Sequence, residues 1–157
     1  MLTGERPTGQ LHIGHFFGSL ENRLVLQQLG VPVNVLIADY QALTVREASA
    51  RLKDSVLGLV LYYLAIGLAP DNGSTLFFAH SYVPSLNQLL LPFLSLVTTA
   101  ELQRNPTVKD EIQQLGARAV SGLMLTYPVH QAADILSLHG NLVPGGKDQA
   151  PHLELAR

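Results

Sequence analysis

Residues Val33-Asn34-Val35-Leu36-Ile37-Ala38 form a near-continuous apolar run, set between Gly30 and the polar stretch Asp39-Tyr40-Gln41. A strand with one solvated face alternates apolar and polar side chains, so a run this unbroken suits a parallel strand buried on both faces. The flanking segments fit the same plan. Met1-Leu2-Thr3 and Thr75 to Ala79 are short candidate strands, and Leu142-Val143 is a fourth. Between them, Gly14 to Leu29 repeats Phe17, Leu20, Leu24 and Leu29 at helical spacing until Gly30 stops it. Ala48 to Ile66 is helical up to a break at Gly67 to Gly73, and Thr44 with Glu47 offers a capping box ahead of it. Such alternation predicts an α/β fold with an open parallel sheet and ligands at the carboxyl ends of its strands.

The second half reads as helical. Ser81 to Thr99 tolerates Pro84 in its first turn, while Pro92 is expected to kink or divide it. Leu89-Leu90-Leu91-Pro92-Phe93-Leu94 is apolar on too many sides for one buried face, which predicts a subunit interface and a homodimer, against the alternative of an ordinary internal helix. Thr107 is the expected cap of a short helix to Leu115; Gly116 to Leu125 continues helically, and a last helix runs from Val129 to Leu138 after Tyr127-Pro128.

With 157 residues, 47% of them hydrophobic, the chain suffices for one domain spanning residues 1–157. A net charge of −2 and scattered Lys and Arg give no basic surface, so neither DNA nor bulk RNA binding is indicated. Cysteine is absent, which excludes disulfides and thiol-held zinc, and no histidine spacing suits a metal site. The longest apolar stretch, Leu57 to Ala69, is too short to span a bilayer and reads as a buried helix. With no secretory leader in view, a cytoplasmic location is expected.

The chemistry concentrates in Pro7-Thr8-Gly9-Gln10-Leu11-His12-Ile13-Gly14-His15. A glycine-flexed turn delivers two histidines to a helix start, where backbone N–H groups favour phosphate and imidazoles add donors that follow developing charge. Gly14 leaves a flat base room to lie on the backbone, and Gly18 lets the helix approach a sheet. The bland alternative is two ordinary first-turn histidines.

The run from Thr3 to Gly18 resembles the signature of class I aminoacyl-tRNA synthetases, and Thr-Gly-Glu-Arg-Pro-Thr-Gly within it is similar to the tryptophanyl branch. Gly146-Lys147-Asp148-Gln149-Ala150-Pro151-His152-Leu153-Glu154-Leu155-Ala156-Arg157 matches the same family's Gly-x-Asp-Gln-x-x-His-x-Glu-x-x-Arg at every fixed position. Between them, Tyr127-Pro128-Val129-His130-Gln131-Ala132-Ala133-Asp134 resembles the helix that recognises the substrate side chain.

The resemblance implies an open parallel-sheet, Rossmann-like nucleotide-binding fold of the class I synthetase type and activation of tryptophan by ATP with its Mg2+, with tRNA(Trp) as partner of the full-length family. It implies ATP contacts from Arg6, Thr8, Gly9, His12, Gly14, His15, Gly146, Asp148 and Gln149, with Lys109 on a basic loop near the phosphates. Tryptophan would meet Gly4, Arg6, Ala38, Gln41, Tyr127, Gln131, Asp134 and Gln149. Tyr127 and Gln149 would hold its ammonium, and Arg6 or its backbone neighbours would lie near its carboxylate.

In physical terms Asp134 is the deciding residue of the pocket, because a carboxylate among Ala132, Ala133, Ile135 and Leu136 is costly to bury unless a donor such as an indole N–H meets it. The alternative places Asp134 in solvent on an amphipathic helix. Asp148 suits a ribose hydroxyl and Gln149 an amino acid, or the pair simply opens a helix. His152, Glu154 and Arg157 are assigned to structure.

This chain departs from the commoner pattern at Gln131, Gly145 and Gln41, where many members carry methionine, valine and histidine. That leaves tyrosine or a modified indole as a second substrate class. No Lys-Met-Ser-Lys-Ser stretch occurs, the only lysines being Lys53, Lys109 and Lys147. The chain therefore reads as a truncated first half of the family with slowed activation. The rival readings are a non-catalytic module that binds tryptophan or an adenine nucleotide, and a nucleotidyltransferase acting on another small acid.

Overall fold

Three parallel strands carry the first part of the chain, β1 (Leu2–Glu5), β2 (Val33–Ile37) and β3 (Thr75–Ala79), in the order β1-β2-β3. The structure is a computed structural model that describes residues 1–44, 50–70, 73–114, 116 and 119–157. The described chain falls into two compact units, Met1–Val83 with Asn141–Pro144, and Pro84–Gly140 with Gly145–Arg157. β2 is central, pairing Thr3 with Val35 on one side and Val35 with Phe77 on the other. Val33, Val35, Leu36, Ile37 and Ala38 are all buried, as a two-sided parallel strand requires. Leu142-Val143 does not form the expected strand. Its backbone gives β1 one bond, from Leu2 N–H to the Leu142 carbonyl, which is too little to extend a ladder.

The helical stretch after β1 is built as α1 (Ile13–His15), a π-helical turn (Phe16–Leu20) and α2 (Glu21–Gln28). The wide turn shifts the apolar phase. Leu20 is buried and Phe16 and Leu24 pack on the core, whereas Phe17 and Leu29, expected on that face, are 64% and 72% exposed. Gly18 faces open space rather than the sheet. Gly30 ends the helix at φ 76°, where a side chain would be strained. Gln27 then ties α2 to the next crossover: its amide donates to the Gly67 carbonyl at 3.0 Å, and its oxygen accepts from Ala69 N and Thr75 Oγ1.

Helix α3 (Leu52–Ala65) buries Leu59 and Tyr63 against Val33, Val35 and Ile37. It is not the all-round buried helix expected, because Leu57 and Leu61 are 60% and 57% exposed. The Thr44–Glu47 capping box falls partly outside the described residues; Thr44 itself lies in a 3-10 turn (Gln41–Thr44) and donates to the Gln41 carbonyl. Among the described residues no helix is long and apolar enough to cross a membrane.

The second unit is helical: α4 (Pro84–Gln88), α5 (Leu90–Leu94), α6 (Thr99–Arg104), α7 (Pro106–Gln114), α8 (Gly122–Ser137) and α9 (Ala150–Ala156). Pro92 does divide the segment, with the break at Leu89 between α4 and α5. The cap of α7 is Asn105, not Thr107: its side-chain oxygen accepts from the N–H groups of Thr107 and Val108. Gly116 to Leu125 is not one helix, since α8 begins at Gly122 behind its Ser121 cap. Nor does Tyr127-Pro128 separate two helices. Pro128 sits inside α8, and burial of Met124, Tyr127, Val129, Ala132, Ala133 and Ile135 outweighs a lost backbone bond costing about 3 kcal/mol.

Candidate functional site

At the carboxyl end of β1 the chain passes through Gly4 and Glu5 into Arg6 and a buried Pro7. A Cβ on Gly4 would lie 3.0 Å from the Leu36 carbonyl, so a side chain there would press β1 away from β2 by a few tenths of an ångström. Ala38 and Gln41, at the matching end of β2, are buried. Asp39 between them is buried too. One of its oxygens accepts from Tyr40 N at 3.0 Å and Ser81 N at 3.3 Å, which fastens the end of β2 to that of β3. Nothing in its sequence position beyond the strand end announces this role.

His12 and His15 cap one another. His12 Nδ1 accepts from Gly14 N and His15 Nδ1 accepts from His12 N, both at 3.1 Å, and the rings lie 4.0 Å apart. Two consequences follow. The Gly14 amide, offered to phosphate in the sequence reading, is spent on His12, and the His15 amide is spent on the His12 carbonyl. Each imidazole keeps a donor of its own, because a ring whose Nδ1 accepts carries its proton on Nε2. The His12 ring also occupies the space over Gly14, where a Cβ would come within 2.9 Å of it. Thr8, Gly9 and Gln10, with Arg51, Asp54 and Tyr62, help line a cavity of about 1000 Å³ beside this loop.

A part-buried ion pair joins the end of β1 to α2. Arg23 lies 2.8 Å from Glu5 Oε1 and donates to the Tyr63 hydroxyl at 3.3 Å, while the Ser19 hydroxyl is 3.2 Å from the same carboxylate and 3.3 Å from the His15 carbonyl. Burial pushes the Tyr63 phenol well above its usual range, against the lowering influence of Arg23. The cluster's one signal in the sequence is an arginine one turn beyond the apolar Leu20.

In the second unit, Tyr127, Gln131 and Asp134 recur at i, i+4 and i+7 on one face of α8. Asp134 is 2% exposed, which removes the solvent alternative. Gln131 donates to the Gln149 oxygen at 3.1 Å and Gln149 donates to Asp148 Oδ2 at 2.7 Å, so these three polar groups form one chain. No strand precedes Asp148; it lies in a 3-10 turn (Lys147–Gln149) held by Thr107, whose hydroxyl donates to its carbonyl. A Cβ on Gly146 would overlap Asp148 Oδ1, and one on Gly145 would meet Gln149 Cγ at 3.1 Å. Glycine at position 145 therefore leaves room for this Gln149 conformation. Lys109 is exposed on α7. His152 is fully buried, bonded to both Tyr127 and Asn105.

Residues 1–157, the whole chain, match the family model described as tRNA synthetases class I (W and Y). The chain belongs to that family. Tryptophan–tRNA ligase from Streptococcus agalactiae is 48% identical over 160 residues, covering 100% of this chain and 46% of the relative. The Clostridium longisporum enzyme of the same name is 45% identical with the same coverage. Among solved structures, Campylobacter jejuni tryptophanyl-tRNA synthetase with ADP and tryptophan superposes with a TM-score of 0.90 at 32% identity, over 99% of this chain and 47% of that one. Archaeoglobus fulgidus tyrosyl-tRNA synthetase with L-tyrosine gives 0.80 at 25% identity, over 99% and 48%. The chain spans about half the length of these synthetases. The open parallel sheet is thus the Rossmann-like fold of class I synthetases.

Proposed function

We propose that residues 1–157 act as one catalytic Rossmann domain that activates tryptophan with ATP. The tryptophan carboxylate attacks the α-phosphorus, a carboxylate-to-phosphorus bond forms, the bond to the bridging oxygen breaks, and tryptophanyl-adenylate and pyrophosphate result. The nucleophile is already ionised and needs no base, so the task is alignment and stabilisation of phosphate charge. The observation that carries this reading is the mutual cap of His12 and His15, which spends both Nδ1 atoms on backbone N–H groups and leaves the two Nε2–H groups as donors at the start of α1. Mg2+ would arrive with ATP and neutralise phosphate oxygens.

Asp134 would meet the indole N–H, with Tyr127, Gln131 and Gln149 on the polar end and Gly4, Arg6, Ala38 and Gln41 from the strand ends. Arg6, Thr8, Gly9, Gly146 and Asp148 would serve ATP, and Lys109 its phosphates. The binding of ADP and tryptophan by the Campylobacter jejuni enzyme supports the pairing of ligands. By family, the adenylate would pass to tRNA(Trp) in the cytoplasm. The 76% and 77% exposed Leu91 and Leu96 support a homodimer.

Tryptophan-dependent exchange of labelled pyrophosphate into ATP tests the proposal, with tyrosine as competing substrate and Asp134→Ala as control. Exchange that requires tryptophan and falls in the variant supports it. A folded chain that binds tryptophan without exchange would instead be a binding module, and exchange driven by a non-aromatic acid would indicate another nucleotidyltransferase.

A further inference from the structure

We infer that Ser19 is a positioning residue whose hydroxyl, set against the Glu5–Arg23 pair, holds the wide turn after His15 and so fixes where the two imidazoles stand. This role deepens the proposed activation of tryptophan and rests on it. In an α-helix the N–H of residue 19 would bond the carbonyl of residue 15. Here Phe16–Leu20 is a π-helical turn, and the Glu21 N–H reaches the Phe16 carbonyl five residues back. The Ser19 side chain serves the carbonyl four residues back instead: its hydroxyl lies 3.3 Å from the His15 carbonyl oxygen. A serine bonded in this way competes with the regular backbone ladder and bends a helix.

A serine can make that bond on any helix; what marks Ser19 is its second acceptor. The hydroxyl also lies 3.2 Å from Glu5 Oε1. It has one proton to give and two acceptors at nearly equal distance, so it bridges them. The carboxylate is itself a fixed point. Arg23 donates to the same Oε1 at 2.8 Å and to the Tyr63 hydroxyl at 3.3 Å, with its guanidinium carbon 5.8 Å from the centroid of the Tyr63 ring. Tyr63 is fully buried in the core with Val33, Val35 and Ile37. A continuous polar chain thus runs from the core through Tyr63, Arg23, Glu5 and Ser19 to the backbone of His15. The His15 ring then accepts from His12 N at 3.1 Å. Donors that stabilise developing charge work by being held in place before the charge appears, so the hydroxyl acts on the reaction step rather than on amino-acid binding.

Ser19→Ala removes the hydroxyl and puts a better helix former in its place, so loss of the fold is not expected. In tryptophan-dependent pyrophosphate exchange it is expected to lower kcat about tenfold, with KM for tryptophan unchanged and the urea midpoint no lower than the parent's. Ser19→Thr keeps the hydroxyl and is expected to retain most of the rate. Three results overturn the role: an alanine variant at the parent's rate, a threonine variant no faster than the alanine one, or a fall in rate matched by falls in stability and tryptophan affinity, which would mean a merely structural hydroxyl.

A spectrum separates this role from the proposed function. In the 15N-histidine-labelled chain at about pH 8.5, where a free imidazole is neutral, His15 is expected to show a bare Nδ1 and a protonated Nε2, assigned with His15→Gln. Ser19→Ala is expected to give a mixture of both tautomers as the bond from His12 N loosens. An unchanged His15 pattern in that variant overturns the inference, whether or not the parent catalyses exchange. A parent that catalyses no exchange, yet whose His15 pattern changes in Ser19→Ala, refutes the proposed function while the anchoring of the turn by Ser19 stands.

Discussion

Arg23 reaches back from α2 to Glu5, the last residue of β1, at 2.8 Å, and so ties the root of the Pro7–Gln10 loop to the helical stretch that follows His12. The Arg23 side chain is 3% exposed and that of Glu5 21%, so the pair is largely shielded from water. Removing one partner should therefore cost more than the pair itself contributes.

Arg23→Met leaves the Glu5 carboxylate without its cation and is expected to lower stability by about 3 kcal/mol. The double variant with Glu5→Gln should recover much of that loss. Urea denaturation of the single and double variants measures both.

His12→Ala and His15→Ala each delete a donor proposed to face the phosphates and one half of the mutual cap. Loss of one such donor typically costs on the order of 100-fold in rate. Pyrophosphate exchange should slow by that order in each, while tryptophan affinity, measured by calorimetry, changes little. Unchanged exchange would show that the imidazoles do not serve the phosphates.

Asp134→Ala removes the buried acceptor proposed for the indole N–H. Preference for tryptophan over phenylalanine, read from the ratio of kcat/KM in exchange, should fall by roughly tenfold or more. A preserved ratio would place indole recognition elsewhere.

Tyr63 gives the chain an alkaline limit. Burial holds its folded pKa above the ordinary value of 10.0, so from about that pH upward the unfolded state sheds a proton that the folded state keeps. Stability should fall as pH rises through this window, and Tyr63→Phe should flatten the slope. Thermal unfolding across the range checks the sign.

Leu91→Glu, on the exposed side of α5, is expected to abolish self-association without unfolding the chain. Sedimentation velocity at micromolar concentration distinguishes a dimer from a monomer, and a monomeric parent would refute the interface.

The central strand was legible because burial on both faces leaves an unbroken apolar run; the edge strand Thr75 to Ala79 was placed to the residue, whereas Leu142-Val143, expected as a strand, is none. Pro128 misled because local propensity reads proline as a break, while the tertiary burial of α8 carries the helix through it. Asn105 was passed over as punctuation, yet it caps α7 and orients His152. Both motifs were visible as strings. That His12 and His15 spend their Nδ1 atoms on the backbone depends on ring orientation, which no spacing encodes. The Glu5–Arg23–Tyr63 cluster joins residues 18 and 40 positions apart, beyond any periodic pattern.

The π-helical turn at Phe16–Leu20 bears on which insertions and deletions this segment can accept. It holds one residue more than an α-helical turn, and each residue of an α-helix sweeps roughly 100° about the axis. Deleting a single residue between Phe16 and Leu20 would regularise the helix and so favour it locally. The same deletion would swing His12 and His15 about a quarter turn relative to Arg23. The more regular helix would be the one that no longer aims its imidazoles from the floor that Glu5 and Tyr63 provide.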